Sequence, residues 1–131
     1  MITINESYPL YVTNNLTTLK TFYESHFDFT TVFFEADFYL HLIHQQSGNQ
    51  LGFMMPNHPS QPNFLHSKTS NVGAIITFDV SDAKTAYQFA QESGLYIVME
   101  YTEEQWGQNH FIVRDPEGLL IDIVEHVQQA S

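Results

Sequence analysis

Between residues 106 and 126 the sequence reads WGQNHFIVRDPEGLLIDIVEH. Among the side chains in this stretch that could do chemistry are the indole of Trp106, the amide of Gln108, the imidazole of His110 and the carboxylate of Asp122. An imidazole titrates near neutral pH and a carboxylate can orient it, so His110 could act as a general base positioned by Asp122. The carboxylate could instead ligate a metal ion, line a binding pocket or stand as a solvated strand residue. A hydrogen-bonded His110–Asp122 pair with no chemical role fits the same spacing. The indole adds a flat surface on which aromatic or cationic molecules stack.

The elements that must hold these groups follow from periodicity. LLIDIVEH reads as a strand, and HFIVRD before it as another, joined by the tight turn Asp115-Pro116-Glu117-Gly118. Alternation puts Leu120, Asp122 and Val124 on one face and Ile121, Ile123 and Glu125 on the other. Upstream, GAIITFDV reads as a strand, Ser81-Asp82 as the cap of a helix over AKTAYQFAQES that stops at Gly94, and LYIVMEY as a further strand. The first half has the same order. YPLYVT is a strand, and Asn14-Asn15 a polar break that can cap LTTLKTFYESHF, whose Leu16, Leu19, Phe22 or Tyr23 and Phe27 share a helical face. TTVFFEA, FYLHLIHQQ and QLGFMMP are β-rich, the last two joined by Ser47-Gly48-Asn49. Residues 56–71, rich in Pro, Ser and Asn, read as a linker, with Phe64 and His66 as its candidate ligand contacts if it instead closes over a site. Val12 and Val80, like Gly48 and Gly118, stand about 70 residues apart, which marks a twofold duplication of a βαβββ module.

Composition narrows the function. The 131 residues suffice for one domain, spanning 1–131, with modules at about 1–55 and 72–131. Fifteen acidic residues against four basic ones give a net charge of −11, a field that repels phosphate backbones and anionic lipid, so nucleic acid and membrane are not expected partners. A cationic small molecule would be attracted, although acidity can also serve solubility alone. With no cysteine, thiolate metal sites and thiol nucleophiles are excluded. MITINESYPL has neither a basic leader nor a long apolar stretch, so the expected location is the cytoplasm.

The duplicated βαβββ order, the helix ending in Phe22-Tyr23 and the segment Asp115-Pro116-Glu117-Gly118-Leu119-Leu120-Ile121-Asp122 together resemble the vicinal oxygen chelate superfamily. That group includes glyoxalase I, extradiol dioxygenases, fosfomycin-modifying transferases and bleomycin-resistance proteins. The resemblance implies an α+β fold in which the modules form a curved mixed sheet with a concave cleft and helices on the outer face. It also implies a homodimer. Metal-dependent members place a His on the first strand of each module and a Glu on the last. Here those positions fall at Ile75, at Ser7 or Tyr8, at Gly52 or Phe53, and at Asp122. Only Asp122 is an ordinary ligand, so no metal and no cofactor is expected.

A register anchored at Asp115, as in the fosfomycin-modifying relatives, turns His110 and Ile112 to the face of Asp122. An extended chain upstream adds Gln108 and Trp106. The expected ligand contacts are therefore Trp106, Gln108, His110, Ile112, Asp122 and Ile75, an aromatic and apolar surface with a few orienting polar groups. Among metal-free relatives the bleomycin-resistance branch is the nearest in kind. The expected function is non-catalytic sequestration of a small aromatic or cationic molecule, with no catalytic residues. Its rival is a metal-dependent lyase, dioxygenase or thiol transferase using His41 or His44 with Asp122 or Glu125.

Overall fold

The computed structural model describes residues 1–128, which fall into two compact units, Met1–Ser70 and the described residues from Asn71 onward. In the first, β1 (Leu10–Val12) leads to α1 (Leu16–Phe27), then β2 (Thr30–Glu35), β3 (Tyr39–His44) and β4 (Asn49–Met54). These strands form a sheet of order β1-β4-β3-β2, in which β1 runs parallel to β4 and the other pairs are antiparallel.

Leu16, Leu19, Phe22 and Tyr23 recur at helical spacing and are all buried, so α1 has one apolar side to cover. It covers Leu40, Leu42, Leu51 and Phe53 on one sheet face, with the Tyr23 and Phe53 rings stacked at 5.4 Å. The cap differs from the sequence expectation: Asn15 starts the helix in the left-handed conformation (φ 55°) without a side-chain capping bond. Asparagine tolerates that conformation better than most residues, which explains its use there. Residues 56–71 contain only a short 3₁₀ turn at Asn63–Leu65 and are tied back to β1 by Thr69 N–H donating to the Val12 carbonyl at 2.8 Å.

The second unit repeats the order with β5 (Ile75–Asp79), α2 (Ala83–Glu92), β6 (Tyr96–Glu104), β7 (Gln108–Arg114) and β8 (Leu120–His126). Its sheet runs β5-β8-β7-β6, again with the first strand parallel to the last. Asp82 caps α2 as expected, accepting from Thr85 N–H at 3.0 Å. Glu125 from β8 accepts from Ala83 N–H at 2.9 Å, a second carboxylate at the positive end of the helix. α2 lies on the face of Phe111, Val113, Ile121 and Ile123, where Tyr87 meets Phe111 edge to face at 5.1 Å. The chain is thus an α+β protein of duplicated βαβββ modules, each a four-stranded mixed sheet with one helix.

The Asp115–Gly118 turn explains its own sequence. Asp115, only 3% exposed, accepts from the backbone N–H of Glu117 at 2.8 Å and of Leu119 at 3.0 Å, and Gly118 adopts φ 93°. Proline supplies a fixed φ inside the turn, and glycine the left-handed residue that leads into β8.

Candidate functional site

Strand pairing decides which side chains share a face. Asp122 lies between Thr77 of β5 and Ile112 of β7, Val124 is opposite His110, and His110 is opposite Thr102 of β6. Leu120 is paired with Ile75, and Gln108 with both His126 and Glu104. Paired residues point the same way and alternate residues return to one face. Ile75, Gln108, His110, Ile112 and Asp122 therefore stand together on the sheet face turned away from α2.

His110 is the centre of this face. It is 8% exposed, and its Nδ1 lies 2.8 Å from Asp122 Oδ1 while its Nε2 lies 2.9 Å from Glu104 Oε2. Ionised carboxylates only accept hydrogen bonds, so two short contacts of this kind favour a proton on each nitrogen, the arrangement of an imidazolium. Burial pulls the His110 pKa down, but the hydrogen bonds and charges of Glu104 and Asp122 outweigh it and leave the pKa raised. With both nitrogens engaged, the ring has no lone pair with which to take a substrate proton. General-base chemistry at His110 does not follow from this geometry.

Two features depart from the sequence reading. Trp106 is not on an extended strand but in the β6–β7 hairpin turn, beside Gly107 with φ 99°. It is 62% exposed, and its Nε1–H still donates to Gln108 Oε1 at 3.2 Å, which ties the indole to the start of β7. Glu104, at the end of β6, was missed. A hairpin about Trp106-Gly107 sets Glu104 opposite Gln108 and diagonal to His110, and recognising that turn would have found it.

The first unit has a counterpart without carboxylates. Leu10 pairs with Gly52 as Thr77 pairs with Asp122, which settles the register: Tyr8 corresponds to Ile75, and Gly52 to Asp122, rather than Ser7 and Phe53. The Tyr39 hydroxyl lies 2.8 Å from His41 Nδ1, and His41 Nε2 lies 2.6 Å from Gln50 Oε1, both within hydrogen-bond distance. Tyr8 meets the His41 ring edge to face at 4.5 Å. Burial, then the nearby Tyr8 hydroxyl, push the Tyr39 pKa up to about 12. A Cβ on Gly52 would come 2.5 Å from the Tyr39 hydroxyl oxygen, so the phenol fills the space a side chain would need.

The other candidates are used locally. His44 contacts Ser47 and Phe29, on the opposite side of β3 from His41, as three-residue spacing on a strand requires. His26 Nδ1 lies 3.0 Å from the Phe22 carbonyl at the end of α1, and His66 Nε2 lies 2.7 Å from the Gln61 carbonyl. Phe64 is exposed, and His58 packs on Phe38. Glu125 faces α2, away from Asp122.

A family model described as the glyoxalase/bleomycin resistance protein/dioxygenase superfamily matches residues 7–123. The chain belongs to this superfamily, the vicinal oxygen chelate group. A superfamily member from Sphaerobacter thermophilus is 17% identical, with a TM-score of 0.74, the match covering 96% of this chain and 100% of that one. A family enzyme from Burkholderia phytofirmans is 19% identical with a TM-score of 0.75, covering 92% and 98%. A lactoylglutathione lyase from Agrobacterium tumefaciens is 16% identical with a TM-score of 0.73, covering 92% of each chain. At these identities the likeness extends to the fold alone. No curated protein matches the sequence.

The donor set does not fit the divalent ion that enzymes of this superfamily use. The corresponding positions carry Tyr8 and Gly52 in the first unit and Ile75 and Asp122 in the second, which gives one carboxylate and no imidazole. Gly52 has no donor, and Tyr39 fills its space.

Proposed function

We propose that the chain binds a small aromatic or cationic molecule on the sheet face carrying Trp106, Gln108, His110, Ile112, Asp122 and Ile75, and releases it unchanged. The observation that carries this reading is the doubly engaged His110. A face built around it offers orientation and charge but no free base or nucleophile. Around that centre, Ile75 is 43% exposed and Trp106 more so, which leaves apolar area for a flat ligand. The Glu104–His110–Asp122 cluster sets two carboxyl groups against one ring, an acidic balance that favours a cation. In this respect the protein resembles the resistance branch of its superfamily more than the lyases.

We also propose a homodimer that works in the cytoplasm. The exposed apolar residues Val32 and Phe33 on edge strand β2, and Tyr96 and Val98 on edge strand β6, supply surface for self-association. Among the described residues no helix is long and apolar enough to cross a membrane.

Trp106 is the single tryptophan, so its fluorescence reports on this face without labelling. Titration with planar aromatic cations is expected to quench or shift the emission saturably, and chromatography should recover the compound intact. Saturable binding followed by conversion of the compound would replace sequestration with catalysis. An emission unchanged by every aromatic and cationic compound tested would remove the binding reading.

A further inference from the structure

Glu104, His110 and Asp122 bring three side chains of metal-ligating type from three adjacent strands onto one face, and their geometry is that of a closed ion cluster. Each nitrogen of one ring is bonded to a different carboxylate, at 2.8 and 2.9 Å. A histidine ligates metal through a ring nitrogen lone pair, and here each ring nitrogen is taken up by a carboxylate oxygen. Among the described residues no group of three or more His, Asp or Glu is arranged to hold a metal ion. The polar neighbours on this face are Thr77, Thr102 and Gln108, all neutral, the exposed Asp79–His126 pair at 3.1 Å, and Arg114, which is paired with Leu120 and lies over the Tyr96 ring at 4.8 Å. The short contacts of Glu104 and Asp122 are made to the His110 ring.

We propose that the His110 ring, held by both nitrogens between Glu104 and Asp122, occupies the carboxylate oxygens and the ring positions that a divalent ion would need, so that this cluster excludes such ions. Removing the ring leaves two half-buried carboxylates facing a vacated volume, which is a demand for a cation. Glu104 thereby acquires a role: without it Asp122 alone would meet the ring, leaving Nε2 free to bind metal or to shuttle a proton.

The test is titration of the wild type and of His110→Ala and His110→Gln with manganese(II) at neutral pH, following the free-ion signal by electron paramagnetic resonance. Both variants are expected to bind manganese about tenfold or more tighter than the wild type, because each carboxylate regains an unneutralised charge. Adding Asp122→Asn to His110→Ala should remove the gain. Tight stoichiometric binding by the wild type, or no gain in either variant, would overturn the proposal. Should neither variant fold, nitrogen-15 NMR of the wild-type ring decides: two protonated ring nitrogens at neutral pH support the proposal, and a single neutral tautomer contradicts it.

Discussion

Asp122 is partnered rather than free, and that changes what the carboxylate at this strand position can do. An imidazolium held by two carboxylates is stabilising only while it keeps its proton. Its folded pKa is raised above the ordinary value of about 6.5, so its contribution is full below that pH and is lost as pH rises through the raised value. Thermal melts of the wild type and His110→Gln between about pH 6 and 9 should show the wild-type advantage shrinking as pH increases. An advantage constant across that range would mean that the ring contributes packing alone. Asp115 is a different case, a carboxylate whose work is entirely structural. Replacing it with Ala strands two backbone N–H groups in a buried turn, and the expected loss is about 2–4 kcal/mol in denaturant unfolding.

The elements were largely legible, because their signals are local and repeated. α1 spans the segment chosen by the spacing of Leu16, Leu19 and Phe22, and α2 begins at the Asp82 cap and ends before Gly94. Alternation through β7 and β8 correctly grouped Gln108, His110, Ile112 and Asp122. It did not reach Glu104, because the strand read from LYIVMEY ends at Tyr101 whereas β6 runs on to Glu104, with register shifts between Ile97 and Met99 and between Met99 and Thr102 along the way. It failed at Trp106 because Gly107 turns the chain where an extended run was expected. The first-strand ambiguity between Ser7 and Tyr8 has a similar origin: β1 is three residues long, too short to set its own register, and only its pairing with β4 fixes it. Gly52 should be intolerant for a reason that no helix or strand propensity contains. Gly52→Ala must displace the Tyr39 hydroxyl and is expected to cost about 1–3 kcal/mol. Adding Tyr39→Phe should recover part of that loss, and strict additivity in a double-mutant cycle would show that the two residues do not meet.

For the whole molecule, the net charge bears on the proposed ligand as well as the local site does. A net charge of −11 extends beyond any single site, so a cationic ligand gains from the general field as well as from the local cluster. Its affinity should weaken as salt is raised from about 0.01 to 0.15 M, whereas that of a neutral aromatic analogue should barely change. The superfamily assignment, which spans residues 7–123, sets the fold but leaves the chemistry to particular side chains. At the positions where the resemblance puts metal ligands, this chain carries Tyr8, Gly52 and Ile75 beside Asp122. The most direct measurement is backbone amide NMR during titration with a planar aromatic cation. Binding at the proposed face predicts shifts concentrated at Ile75, Trp106, Gln108, His110, Ile112 and Asp122, with α2 little affected. Shifts centred on α2, or none at saturating ligand, would contradict it.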